Sequence, residues 1–278
     1  MNEVLIAGAI MLGIAGFFGS VLAVAHRYLR VEEDPRVDTV EGMLPGTNCG
    51  ACGQPGCHAF AEALVQGVTT PGKCSVSAPE AVADVARFLG VEAGFEEKRV
   101  ARLHCAGGKS SVRSLAEYHG LDTCRAAIVV NGGGKACAWG CLGLGDCDRA
   151  CTFDAIHMND EDLPVVDVAG CTACGDCVEV CPLDLFTLEP VSTKLIVQCS
   201  APLTGELARR ICRVACDACG RCAADAEPGV VEMSDGLPVI QDPARTNEAS
   251  TFRCPTGAIQ WVEQGQFQAE SRGEKGRS

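Results

Sequence analysis

The twenty cysteines of this 278-residue chain constrain it more than any other feature, because most of them stand in tight runs. Cys171, Cys174, Cys177 and Cys181 follow one another at two, two and three intervening residues, with Pro182 next. Runs this close aim several sulfurs at one point, which a metal centre needs and a framework of cross-links does not. Disulfides also suit small secreted domains in oxidising compartments. Read as metal ligands, these thiols must stay reduced, and the part of the chain that bears them should face the cytoplasm.

The run from Cys171 to Cys181 has the spacing of a bacterial ferredoxin, in which the fourth cysteine ligates the other of two [4Fe–4S] clusters. Cys181 should therefore reach back to the upstream series Cys137, Cys141, Cys147 and Cys151. The partition that follows places Cys137, Cys141, Cys147 and Cys181 on one cluster. It places Cys151, Cys171, Cys174 and Cys177 on the other. A degenerate second copy lies downstream. Cys212, Cys216 and Cys222 align on Cys137, Cys141 and Cys147, with Cys199 on Cys124, Cys219 on Leu144 and Ala226 on Cys151. After a short deletion, Ala244, Asn247 and Ser250 stand where Cys171, Cys174 and Cys177 stood, and Cys254-Pro255 matches Cys181-Pro182. Under the crossover rule one ligand set survives whole, Cys216, Cys219, Cys222 and Cys254, and the other is lost whole.

Near the N-terminus, Cys49, Cys52, Cys57 and Cys74 are set among glycines that let the backbone turn tightly around a cluster. A zinc site of four cysteines is the structural rival there. Four clusters thus take sixteen thiols. The remaining Cys105, Cys124, Cys199 and Cys212 are either ordinary buried thiols or the ligands of a fifth cluster.

Val4 to Ala25 carries no charge and is long enough, as a helix, to cross the hydrocarbon core of a bilayer. Only Glu3 precedes it, whereas His26, Arg27 and Arg30 follow, which places the N-terminus outside and the cysteine-bearing part in the cytoplasm of a single-pass protein of the cytoplasmic membrane. The reversed charge order argues against a cleaved signal peptide. Gly8, Gly13, Gly16, Gly19 and Ser20 fit close packing on partner helices. With a net charge of -13 and no basic stripe, nucleic-acid binding is not expected. Gly132-Gly133-Gly134-Lys135 lacks the spacing of a phosphate loop and reads as a turn into Cys137. The five histidines form no ligand cluster, with His104 and His157 read as surface or packing residues, and no catalytic residues stand out.

The fold class is α+β: one N-terminal transmembrane helix, a small single-cluster Fe–S domain and ferredoxin-like repeats. Helices are expected over 58–66 and 80–89, and strands over 99–104, 164–168, 194–198 and 230–240. The domain limits are 1–30 for the anchor, 31–95 for the single-cluster domain, and 96–191 for the two-cluster module. A degenerate module follows over 192–263, then a disordered tail over 264–278.

The N-terminal helix, Asp34-Pro35-Arg36, Leu44-Pro45-Gly46 with Asn48-Cys49-Gly50-Ala51-Cys52-Gly53, Pro55-Gly56-Cys57, the stretch Gly140–Cys147, Cys151 and Phe153-Asp154-Ala155-Ile156 together resemble the B subunits of Rnf complexes. The resemblance covers Val4 to about Val262. It implies an electron-transferring subunit of a membrane-bound, ion-translocating ferredoxin:NAD oxidoreductase. It implies soluble ferredoxin as donor and other membrane and peripheral subunits as partners; the flavin, NAD and ion sites would lie on those. Thr152 departs from the family pattern, in which a proline commonly follows the ligand cysteine. The alternative is an Fe–S subunit that serves the reduction of a redox sensor, or acts as one.

Overall fold

The computed structural model describes residues 2–29, 34–263 and 265–267. Residues 30–33, Gln264 and residues 268–278 of the tail lie outside the described residues. Helix α1 (Asn2–Leu29) contains a 24-residue apolar span, Leu5–Tyr28, whose side chains are exposed from Leu5 through Val24. Exposure of Leu12, Phe17 and Leu22 over such a length is what a lipid-facing helix presents and a water-facing one avoids.

Helices α2 (Pro35–Met43), α3 (Cys57–Val65) and α4 (Pro79–Leu89) form a small core of Val37, Val40, Phe60, Ala61, Leu64 and Val85. Asp34 caps α2 by accepting the Arg36 N–H at 2.9 Å, with Pro35 in the first turn. Gly90, in the left-handed conformation, ends α4 as its position after the last apolar residue predicts.

The rest of the chain holds two variations on one plan. In the first half, strand β1 (Arg99–Leu103) precedes α5 (Cys124–Val129), α6 (Asp146–Ala150), β2 (Ile156–Met158), β3 (Pro164–Val166), α7 (Asp176–Val180) and β4 (Phe186–Pro190). β1 pairs antiparallel with β4, from Arg99 opposite Pro190 to Leu103 opposite Phe186, and β2–β3 form an inner hairpin. In the second half, β5 (Leu195–Val197) is followed by α8 (Gly205–Ile211), α9 (Arg221–Asp225), the hairpin β6 (Val231–Ser234) and β7 (Leu237–Ile240), α10 (Ala249–Phe252) and β8 (Ile259–Trp261). β5 pairs with β8 as β1 does with β4. Each half has its own core, Val100, Leu103, Ile156, Val166, Leu185 and Phe186 in the first and Leu195, Val197, Val230, Val231 and Ile259 in the second.

The halves meet where β1 and β5 end. His104 Nδ1 contacts the Val197 carbonyl at 2.7 Å, the Ala106 N–H donates to Gln198 at 3.0 Å, and Ser200 Oγ donates to the His104 carbonyl at 3.0 Å. His104 is a packing residue of this joint, as its sequence context predicts; burial opposes its protonation, but Glu189 and the Val197 carbonyl outweigh burial and raise its pKa. Segment 111–113 also pairs with 211–213, through Arg113 N–H to Ile211 and Arg213 N–H to Ser111, each at 2.9 Å.

Disorder from residue 264 onward is not what the first part of the tail shows. Gln266 is fully buried: its Oε1 accepts the Leu103 N–H at 3.2 Å and its Nε2 donates to the Leu103 carbonyl at 2.9 Å. Its own carbonyl accepts from Gln198 Nε2 at 2.6 Å, and Phe267 packs into the first core. One amide side chain thus supplies both hydrogen bonds that the end of β1 requires. Gln266→Ala leaves a buried donor and acceptor unmet, a cost of about 2 kcal/mol. The thermal midpoint should fall by about 4–8 °C, read by circular dichroism.

Candidate functional site

All twenty cysteines are free thiols. Sixteen of them line four pockets in groups of four, and Cys49, Cys52, Cys57 and Cys74 stand around the entry to α3.

The first group is built on the entry to α3. Asn48, at φ 49°, turns its side chain back so that Oδ1 accepts the Cys57 N–H at 2.7 Å, fixing Cys57 in the first helical turn. Gly56 is required there, since a Cβ would stand 2.9 Å from Asn48 Oδ1. Cys52 is surrounded by the Cys74 and Cys49 thiols; burial, aided by that proximity, raises its pKa. Gly72 lets the Cys74 turn approach the chain after α4, its N–H donating to Ala93 at 2.7 Å, where a Cβ would meet the Gly94 carbonyl at 2.5 Å.

Cys151, Cys171, Cys174 and Cys177 line one pocket, closed by Ala101, Phe153, Ile156 and Leu188. Cys216, Cys219, Cys222 and Cys254 line another, walled by Met233, Pro238 and Ile259. These are two of the three groupings that the crossover rule yields. The other two pockets differ from it. Cys124, not Cys137, joins Cys141, Cys147 and Cys181, beside Leu103, Leu183 and Phe186. Cys137 instead faces Cys105, Cys199 and Cys212 at the joint between the halves.

The reason lies in the loop after each first strand. Cys105 follows β1 by two residues, as Cys199 follows β5, so Cys199 corresponds to Cys105 and not to Cys124. Cys124 belongs to an extension found in the first half only. It provides the thiol that Leu144 withholds at the position of Cys219. Asp146 holds this extension in place: buried, it accepts the N–H groups of Cys124 at 2.8 Å and Arg125 at 3.3 Å, and a 2.6 Å contact from Arg149 balances its charge. Thr123 completes the cap of α5. Nothing in cysteine spacing reveals Asp146, although an acidic residue beside a ligand cysteine and opposite a helix start is the available signal.

The loops share a backbone device. The residue before the second cysteine of a C-x2-C turn, Ala173 and Ala218, takes a positive φ of 63° and 59°, and Gly143 does so at the equivalent place. Left-handed alanine is strained by about 1 kcal/mol, and it curls successive N–H groups inward. N–H donors reach sulfur elsewhere too, from Ala155 to Cys151 at 3.3 Å and from Leu185 to Cys181 at 3.5 Å.

These groups fit iron–sulfur chemistry by their donor set: four thiols, apolar walls and amide donors to sulfur. Among the described residues no three His, Cys, Asp or Glu side chains are placed to hold a single metal ion; the thiols surround pockets instead. Burial, with the Cys171, Cys174 and Cys151 thiols adding to it, pushes Cys177 up to about 12; burial and Cys105 push Cys141 to about 12. Thiolates in such places need a compensating cation beside them, which a bound metal centre would supply.

Asp146→Ala removes the anchor of the Cys124 extension. We expect a loss of about 2–3 kcal/mol in stability. A selective drop in iron bound, measured by colorimetric iron assay, should accompany it while Asp148→Ala leaves iron unchanged.

Residues 44–76 match a family model described as a putative Fe-S cluster. The chain is 38% identical over 279 residues to the B subunit of the proton-translocating ferredoxin:NAD(+) oxidoreductase complex of Clostridium ljungdahlii, covering 99% of this chain and 98% of that one. It is 34% identical to the B subunit of the ion-translocating oxidoreductase complex of Methanosarcina acetivorans, over 94% and 99% of the two chains. With the B subunit of the Na(+)-translocating ferredoxin:NAD(+) oxidoreductase complex of Acetobacterium woodii it shares 40% identity, over 78% of this chain and 65% of that one. Likeness over nearly the full length, with thiols grouped in fours behind a membrane-length helix, places the chain in the B-subunit family of ion-translocating, Rnf-type oxidoreductase complexes.

Proposed function

We propose that this chain carries electrons from reduced soluble ferredoxin into a membrane-bound complex, where their onward passage to NAD is coupled to translocation of Na+ or H+. The observation that carries the reading is the succession of thiol groups across neighbouring modules. Ser75 Oγ, next to Cys74, donates to the Thr172 carbonyl, next to Cys171, at 2.9 Å. The Cys141 N–H donates to the Cys105 sulfur at 3.3 Å. The first group therefore lies against the Cys171 group, and the Cys141 group against Cys105.

The cofactors in this reading are [4Fe–4S] clusters on sixteen thiols. Cys49, Cys52, Cys57 and Cys74 hold one; Cys124, Cys141, Cys147 and Cys181 a second; Cys151, Cys171, Cys174 and Cys177 a third; and Cys216, Cys219, Cys222 and Cys254 a fourth. Such clusters supply one-electron carriers whose potentials follow burial, net charge and hydrogen bonds to sulfur. The chain's part is to ligate, to exclude water with Leu103, Ile156 and Phe186, and to present amide donors. It holds no complete site for hydride transfer or ion movement in this reading; other subunits of the complex provide those. Helix α1 anchors the chain in the cytoplasmic membrane with its N-terminus outside, which fits Arg27 at its far end.

Membranes from cells lacking this chain should lose NAD reduction driven by reduced ferredoxin, and an unchanged rate would refute the assignment. Cys254→Ser should cost the full-length chain about four irons and their sulfide, although Ala244, Asn247 and Ser250 leave its own run without cysteines. Iron content equal to the parent would show that Cys254 is not a ligand.

A further inference from the structure

Four thiols lie outside the sixteen just assigned, and the fold brings them together. Cys105, Cys137, Cys199 and Cys212 line a single pocket at the joint between the two halves. We propose that they form a fifth [4Fe–4S] site, ligated in equal parts by the two halves of the repeat.

The site has an internal symmetry that chance burial of four cysteines would not produce. Each half contributes the thiol two residues beyond its first strand, Cys105 after β1 and Cys199 after β5. Each also contributes the thiol four residues ahead of its next ligand: Cys137 before Cys141, and Cys212 before Cys216. The backbone pairing of 111–113 with 211–213, which includes a bridge between Val112 and Cys212, holds the two contributions in register.

The pocket is also prepared for a bound group. Gly107 sits between two of the thiols: a Cβ there would lie 3.2 Å from Cys212 Sγ and 3.6 Å from Cys105 Sγ, so glycine keeps the space clear. A Cβ on Gly140 would lie 3.3 Å from Cys137 Sγ. The N–H groups of Gly107 and Cys141 donate to Cys105 Sγ at 3.4 and 3.3 Å, the kind of bond that offsets charge on a ligand sulfur. Lys135 lines the pocket, anchored through its ammonium to the carbonyls of Gly107 and Cys141. It places one cation where four thiolates would gather. Val112, Leu203, Ile211 and Ala215 provide the apolar wall. Buried thiols serving only as small hydrophobes need neither amide donors nor a cation. A single zinc ion needs sulfurs about 2.3 Å from one point, and no three thiols here are placed to hold one ion.

The position has a consequence for the carrier. Cys105 touches the Cys141 group on one side. On the other, Cys199 lies beside Cys216 of the C-terminal group. The joint therefore links the C-terminal group to the remainder, and the order in space is not the order in sequence. The cofactor class rests on the electron-carrier reading above; the existence of the site rests on the geometry of the joint.

The test uses the full-length chain, purified anaerobically in detergent, with iron, acid-labile sulfide and zinc measured per chain. The parent should bind about 20 irons and as many sulfides. Cys212→Ser should lose about four of each, and so should Cys177→Ser, which removes a ligand of the ferredoxin-spaced run. Low-temperature EPR of the reduced Cys212→Ser protein should lose one set of signals and keep those that Cys177→Ser removes. A parent with about 16 irons, zinc at the joint without sulfide, or an unchanged iron count in Cys212→Ser overturns the fifth site. The first of these decides even if the variants fail to fold. If Cys177→Ser also leaves iron unchanged, the cluster reading as a whole falls, which separates the two failures.

Discussion

Sulfur gathered in groups of four is the constraint to which the rest of this fold is fitted. The helices around it run for four to seven residues beyond the first module, and among the described residues every sheet has two strands. Helices of that length are not stable alone in water, and two-stranded ribbons are marginal. Small cores such as Leu195, Val197, Val231 and Ile259 bury little apolar surface each. What these segments share is that they end on, or turn around, a thiol that points inward. Raised pKa values at Cys141, Cys177, Cys212 and Cys216 express the same fact, since burial and crowding of like groups both oppose the thiolate.

The two halves follow one topology and diverge by exchange of thiols. The first half lacks a cysteine at Leu144 and draws one from Cys124, on an extension that Asp146 clamps. The second half keeps Cys219 at that position and dispenses with the extension. It lost four thiols together, and the space is filled differently: Ser250 is buried where Cys177 stands in the other half, and Arg253 pairs with Asp225 across α9 and α10. The joint is where the halves remain alike.

Much of this was legible in the sequence. Runs with fixed spacing, such as Cys171 to Cys181, name their own partners because the turn between ligands is short and its geometry is local. The helices over 58–66 and 80–89 and the β structure over 230–240 were legible for the same reason: period and glycine punctuation are local signals. Cys105, Cys124 and Cys137 were not, because their partners are set by which loop follows which strand. Ungapped alignment of Cys199 on Cys124 runs across the extension and so mispairs them; only the pairing of β1 with β4 and of β5 with β8 restores Cys105 as its counterpart. Gln266 was hidden for a different reason. A polar tail reads as disordered by composition, and nothing in composition tells that one amide completes the hydrogen bonding of Leu103.

The spacing of the thiols along the chain also sets a schedule for the chain as it is made. A polypeptide emerging N-terminus first has its earliest foursome complete at Cys74. The next two foursomes close nearly at once, at Cys177 and Cys181, since each borrows from the other's run. The joint has all its thiols only at Cys212, and the C-terminal foursome waits for Cys254. On the proposed cluster assignment, maturation is a sequence of closures, each of which keeps its sulfurs reduced and apart until the last contributor has left the ribosome.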